Sequence, residues 1–119
     1  MLPPGTSYEM AAGIKTEVIA ALTPHVSAVL LDPVYGLDAA LHRARQSGLL
    51  LALESSGYTG DSTYRGIEFY PDWSVEKIKL AGASAVKLLA YYHPESGALA
   101  DEIEGVIASV VADCRRFDI

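Results

Sequence analysis

The chain has 119 residues, of which half are apolar and a fifth charged, a balance that excludes a disordered segment and fits one globular domain. A formal net charge of -6, with the basic residues scattered rather than striped, argues against nucleic acid as a partner. A single cysteine, Cys114, excludes an internal disulfide and a cysteine-rich metal site and suits a reducing cytoplasm. The start of the chain lacks the basic-then-apolar pattern of a signal peptide, and no apolar run approaches the ~20 residues of a membrane span. The expectation is a soluble, cytoplasmic protein with no membrane contact.

Thr6 or Ser7 is placed to cap a first helix whose apolar positions Met10, Ile14, Val18 and Ala21 or Leu22 recur at helical spacing. Pro24 ends it. His25 to Leu31 then reads as a strand rich in branched aliphatics, closed by the turn-forming Asp32-Pro33-Val34-Tyr35-Gly36. Leu37 to Gln46 follows as a helix with Leu37, Ala40, Leu41 and Ala44 on one face, stopped by Gly48. Leu49 to Glu54 is a second buried strand ending in a carboxylate.

From Ser55 to Tyr70 apolar periodicity is lost, and glycines punctuate a polar, tyrosine-bearing loop. Pro71-Asp72-Trp73-Ser74 opens a helix with capping chemistry, with Val75, Ile78 and Leu80 or Ala81 inward and Gly82 at its end. Ala83 to His93 is the most informative stretch, an apolar run with Lys87 in its middle. An ammonium in a buried strand costs several kcal/mol unless it meets a carboxylate, a phosphate or water. The alternative is an edge strand from which Lys87 snorkels to solvent. Glu95 or Ser96 begins the last helix, with Leu99, Ile103, Val106 or Ile107, and Val110 or Val111 inward.

A helix followed by three strand-helix units, with strands near residues 26–32, 49–54 and 84–92, predicts an α/β fold with a parallel sheet. Ligands of such folds collect at the carboxyl ends of the strands. Those ends carry Asp32 with Tyr35, Glu54, and Tyr91, Tyr92 and His93.

Asp32 and Glu54 can serve as acid and base or hold Lys87 in an ion pair; equally, Asp32 can cap its own turn and Glu54 can contact a backbone amide. Ser55 to Asp61 offers amides and hydroxyls for a phosphate but matches no nucleotide-binding fingerprint, and a plain surface loop is the simpler reading. The histidines lack metal-ligand spacing and no nucleophile elbow is present, so neither a metal nor a cofactor is expected. Trp73, Tyr64, Tyr70, Tyr91 and Tyr92 suit a sugar pocket or ordinary packing.

Four stretches together carry a family resemblance: Ala28 to Gly36; Leu49 to Glu54 with Ser56-Gly57-Tyr58; Pro71 to Ser74; and Ala85 to Tyr92. In this order and spacing they resemble the tagatose 1,6-bisphosphate aldolases, class I enzymes whose pattern runs LLDPEYG, LLLAYEKTGY, PDWS and AVKFLLYY. The resemblance implies a (β/α)8 TIM barrel, normally about 250 residues or more. This chain then supplies three parallel strands with flanking helices, corresponding to the second, third and fourth of the barrel, as a single partial domain over residues 1–119.

By the same resemblance Lys87 is the accessory lysine of the pocket rather than the Schiff-base nucleophile, Glu54 is a catalytic-face carboxylate, and Asp32 and Tyr91 bind substrate. The shuttle glutamate and the Schiff-base lysine of the family belong to later strands. Lys15, Lys77 and Lys79 fall on helices and are expected to be solvated. The implied reaction is cleavage of a ketose bisphosphate to dihydroxyacetone phosphate and glyceraldehyde 3-phosphate, with these residues, a truncated or split product, inactive alone. A non-catalytic sugar-phosphate-binding or structural module that oligomerises through open sheet edges is the alternative, and a non-functional piece the third. The expected partners are a sugar phosphate and either a second copy or a complementary barrel segment.

Overall fold

The computed structural model describes residues 3–55 and 65–119. Its elements in chain order are helix α1 (Tyr8–Leu22), a short 3-10 helix (Thr23–His25), strand β1 (Ala28–Leu31), helix α2 (Leu37–Leu41), strand β2 (Gly48–Ala52), helix α3 (Val75–Leu80), strand β3 (Ala85–Lys87) and helix α4 (Ala98–Phe117). The strands form one parallel sheet in the order β1-β2-β3, with Leu30 opposite Leu50 and Ala52 opposite Lys87. This is α/β architecture of the kind found in one portion of a TIM-type barrel, with neighbouring strands following one another in sequence.

The core lies on one face of the sheet. Side chains alternate along a strand, so Leu31, Leu49, Leu51 and Leu53 are buried on the same side and meet Ile19 of α1, Ala39 and Ala40 of α2, and Val75 and Ile78 of α3. Val110, Cys114 and Phe117 of α4 pack against the same cluster. The opposite face is less covered: Leu30 there is 51% exposed, and α1 reaches it through Lys15, Val18 and Ile19. A doubly wound sheet covers both faces with helices; a barrel wall covers only the outer one.

Local chemistry explains the element ends. Ser7 accepts a hydrogen bond from the Met10 amide at the start of α1, and Ser74 accepts from the Lys77 amide at the start of α3. α3 closes in a Schellman arrangement, with Ala83 N–H donating to the Ile78 carbonyl and Gly82 N–H to Lys79. Gly82 holds a φ of 80° there, a conformation that disfavours a β-carbon.

Several elements are shorter than their sequence patterns. α2 stops at Leu41 instead of Gln46 because the Ala44 amide donates to the buried Thr23 hydroxyl, while Arg43 donates to the carbonyls of Ala40 and Ser47. The backbone groups that would continue the helix are engaged elsewhere. β1 starts at Ala28 because His25 belongs to the 3-10 turn that follows α1. β3 ends at Lys87 rather than near Tyr92, since beyond Ala52 the neighbouring chain leaves the ladder and Glu54 pairs antiparallel with Phe69.

The helical faces also need correction. On α1 the residues buried are Ala11, Ala12 and Ile19, whereas Met10, Ile14, Val18 and Leu22 form an exposed apolar stripe. On α2 the buried positions are Ala39 and Ala40, with Leu41 exposed, and on α3 Leu80 and Ala81 both point outward. On α4 the inward choices are Ile103, Val106 and Val110, leaving Ile107 and Val111 exposed.

Burial on one face only makes the two faces respond differently to truncation. Leu51→Ala should lower stability by about 3 kcal/mol through cavity formation, whereas Leu30→Ala, on the less covered face, should cost less than about 1 kcal/mol. Urea unfolding followed by far-ultraviolet circular dichroism measures both; equal losses would contradict a one-sided core.

Candidate functional site

The alternation that sends the leucines into the core sends Leu30, Ala52 and Lys87 to the less covered face. There they line a cavity of 360 Å³ together with Asp32 and Glu54, which follow β1 and β2, and with Lys15, Val18 and Ile19 of α1. The cavity sits toward the carboxyl ends of the strands, where parallel α/β folds place their ligands. Its charged groups are two ammonium and two carboxylate side chains.

Lys87 donates to Glu54 Oε1. Glu54 has a side chain only 8% exposed, against 27% for Lys87, so the pair is partly desolvated. Lys87 stands on an edge strand, yet its head turns inward to the carboxylate instead of outward to solvent. The second carboxylate oxygen, Glu54 Oε2, is buried and has no hydrogen-bond partner among the described residues. A buried carboxylate oxygen left in that state costs free energy that a ligand hydroxyl or amine can recover.

Asp32 is bound more completely. Its Oδ1 accepts from the amides of Val34 and Tyr35 at 2.9 and 2.7 Å, and its Oδ2 accepts from Lys15. Burial pushes the Asp32 carboxyl up, but the Lys15 hydrogen bond and charge, with the Tyr35 and Val34 amides, outweigh it and hold the group below the usual carboxylate range. The turn is tight: a β-carbon on Gly36 would lie 2.4 Å from the Asp32 carbonyl oxygen, so only glycine fits there.

Three of the residues singled out from sequence, Lys87, Glu54 and Asp32, therefore meet in one cavity. Tyr91 is not part of its lining; the Arg65 guanidinium stands over the Tyr91 ring, 5.1 Å from its centroid. Lys15 was expected in solvent and is instead an ion-pair partner of Asp32, with its side chain 32% exposed. Helical periodicity marks which face a lysine occupies but not what a long, flexible stem can reach. The i, i+7 relation of Tyr8 and Lys15 was the available signal, for Tyr8 also contacts the Asp32 turn, donating from its hydroxyl to the Val34 carbonyl.

Other candidates fall outside the cavity. Trp73 donates from its indole to the Ala52 carbonyl and packs against the helix-covered core. Tyr92 donates to Glu104 on α4, and His42 interacts with the Asp38 carbonyl. Cys114 is half-buried on α4, where burial, then Asp113, pushes its thiol up. The proposed phosphate loop lies, apart from Ser55, outside the described residues, as does Tyr64. No described helix is long and apolar enough to cross a membrane.

Two measurements check this arrangement. Lys87→Met should destabilise the chain by about 3 kcal/mol at neutral pH by stranding the Glu54 carboxylate, and adding Glu54→Gln should return part of that loss in a double-mutant cycle. Because the folded Asp32 carboxyl is depressed, its contribution is complete above the unfolded value of about 4 and lost as pH falls through the folded value. Asp32→Asn should flatten stability against pH on that acid side, measured by urea midpoints between about pH 5 and 2.

Comparison with known proteins identifies a family. Residues 4–119 match the family described as DeoC/LacD family aldolase. The chain is 41% identical over 107 residues to tagatose 1,6-diphosphate aldolase 2 of Streptococcus mutans, covering 89% of this chain and 32% of that protein. It is 45% identical over 106 residues to tagatose 1,6-diphosphate aldolase 1 of Enterococcus faecalis, covering 88% and 33%. With the enzyme 2 of a Streptococcus pyogenes serotype M3 strain it shares 40% over 114 residues, covering 95% and 35%. The chain thus spans about a third of the length of the curated relatives it matches. On the extent of the family match, and with a parallel sheet bearing its charged cavity at the strand ends, the chain belongs to the DeoC/LacD aldolase family.

Proposed function

We propose that these residues form one wall of a class I ketose-bisphosphate aldolase site, acting on a tagatose 1,6-bisphosphate type substrate to give dihydroxyacetone phosphate and glyceraldehyde 3-phosphate. The observation that carries this reading is the Glu54–Lys87 pair in the cavity on the less covered sheet face, with Glu54 Oε2 buried and without a hydrogen-bond partner among the described residues. In this role Lys87 is an accessory ammonium that polarises a substrate oxygen. Glu54 accepts from a substrate hydroxyl through Oε2. Asp32 shapes the rim, since both its oxygens are engaged within the chain, and Tyr91 borders the substrate beyond it.

Retro-aldol cleavage breaks a carbon–carbon bond next to a carbonyl and needs an electron sink, which class I enzymes make by condensing a lysine amine with the ketone. That amine must present a lone pair, whereas Lys87 presents its protons to Glu54. In the proposal the Schiff-base lysine and the shuttle glutamate come from strands outside this sequence, and cleavage belongs to the assembled barrel. The single partial domain is then a component of a cytoplasmic sugar-phosphate enzyme.

A second reading is favoured by the less covered sheet face at Leu30 and the exposed α1 stripe: a sugar-phosphate-binding or structural module that associates with another copy or with a complementary barrel segment. Both surfaces are apolar enough to call for a cover.

Two experiments separate these readings. Borohydride reduction of the chain with dihydroxyacetone phosphate should leave its mass unchanged, while mixing it with the complementary segment of a relative should restore cleavage of tagatose or fructose bisphosphate. In that mixture Lys87→Met should lower kcat by about a hundredfold. A reduced adduct on Lys87 would overturn the accessory role. A well-folded mixture without activity, with the chain alone sedimenting as a dimer, would select the binding module.

A further inference from the structure

We propose that Lys15 determines the charge preference of the cavity: by neutralising Asp32 it keeps the site open to an anionic, phosphorylated ligand. This rests on the sugar-phosphate reading above and adds a residue from α1 to a site otherwise built from strand ends.

The charge count carries the inference. Lys15, Asp32, Glu54 and Lys87 are the four ionisable side chains lining the cavity, and they form two pairs, so the lining is neutral. Without Lys15 the same space would hold two carboxylates against one ammonium. An incoming phosphate would then meet a net negative charge in a partly desolvated cavity, where such repulsion is screened less than in water. A neutral polyol would not be affected in this way.

Asp32 cannot escape that outcome by releasing its charge, because its other oxygen is held by two backbone amides, of Val34 and Tyr35. Those contacts favour the carboxylate. The pairing is also built into the fold. Tyr8, two helical turns before Lys15, donates to the Val34 carbonyl, and its ring lies against that of Tyr35 with centroids 5.3 Å apart. The Lys15 ammonium lies 6.0 Å from the centre of the same Tyr35 ring. α1 therefore grips the Asp32 turn at two points, and Lys15 reaches its carboxylate from a fixed helix.

The test uses the chain mixed with the complementary segment of a relative, with dihydroxyacetone phosphate and uncharged dihydroxyacetone as probes, followed by amide and lysine NMR shifts of the labelled chain at constant moderate salt. Lys15→Met should weaken dihydroxyacetone phosphate by roughly tenfold and leave dihydroxyacetone within about twofold, the size expected for one unbalanced charge at short range. Lys15→Arg should keep wild-type affinity. The double variant Lys15→Met with Asp32→Asn, which restores neutrality and keeps an oxygen acceptor for the turn amides, should recover most of the loss. Its spectrum also serves as the folding control for the single variant.

Equal weakening of both probes, or no recovery in the double variant, would make Lys15 a structural strut and overturn the inference. Wild-type binding of dihydroxyacetone phosphate that Lys15→Met leaves intact would overturn it while sparing the sugar-phosphate reading. Absence of wild-type binding would instead remove that reading, and this inference with it.

Discussion

Along a strand, successive side chains leave opposite faces of the sheet, and at β2 this sends Leu49, Leu51 and Leu53 into the helices and Ala52 and Glu54 the other way. Everything else follows from that division. The leucines fix the outer face, against which all four α-helices contribute buried or packed residues. With that face committed, the other forms a cavity from Leu30, Ala52 and the charged Lys87, Asp32 and Glu54, closed by Val18 and Ile19 of α1. A register slip of one residue would exchange the two sets and bury Glu54 among the helices.

The cavity shows how a chain that is half apolar tolerates four charges close together. Each carboxylate is opposite an ammonium, and the pairs come from different parts of the chain, one linking two strands and the other linking α1 to the turn after β1. Partly desolvated pairs of this kind contribute little net stability. The two pairs differ in completeness: both oxygens of Asp32 are engaged, while Glu54 Oε2 is buried without a partner among the described residues.

Much of this was legible in the sequence, for identifiable reasons. Parallel pairing followed from alternating apolar runs and helical segments and strand order from the family resemblance, while Lys87 was visible because a cation inside Ala83 to Leu89 violates the local pattern. Asp32 and Glu54 were marked by position, each being the first carboxylate after an apolar run. Lys15 was not, because a lysine among Glu9, Glu17 and alanines on a helix has the composition of a solvated face. The inward face of α1 misled for a related reason. Its larger apolar residues point outward, and small alanines make the close contact with the neighbouring element. The early end of α2 depended on the Thr23 hydroxyl, a partner 21 residues distant that no local periodicity can reveal.

Trp73 is the chain's single tryptophan, and its indole N–H is bonded to the carbonyl of Ala52, the residue whose side chain lines the cavity from the other side of the strand. The fluorophore and the pocket are thus separated by one thickness of backbone. Emission wavelength and quenching of this intrinsic dye report directly on the end of the strand that leads into Glu54, with no label required.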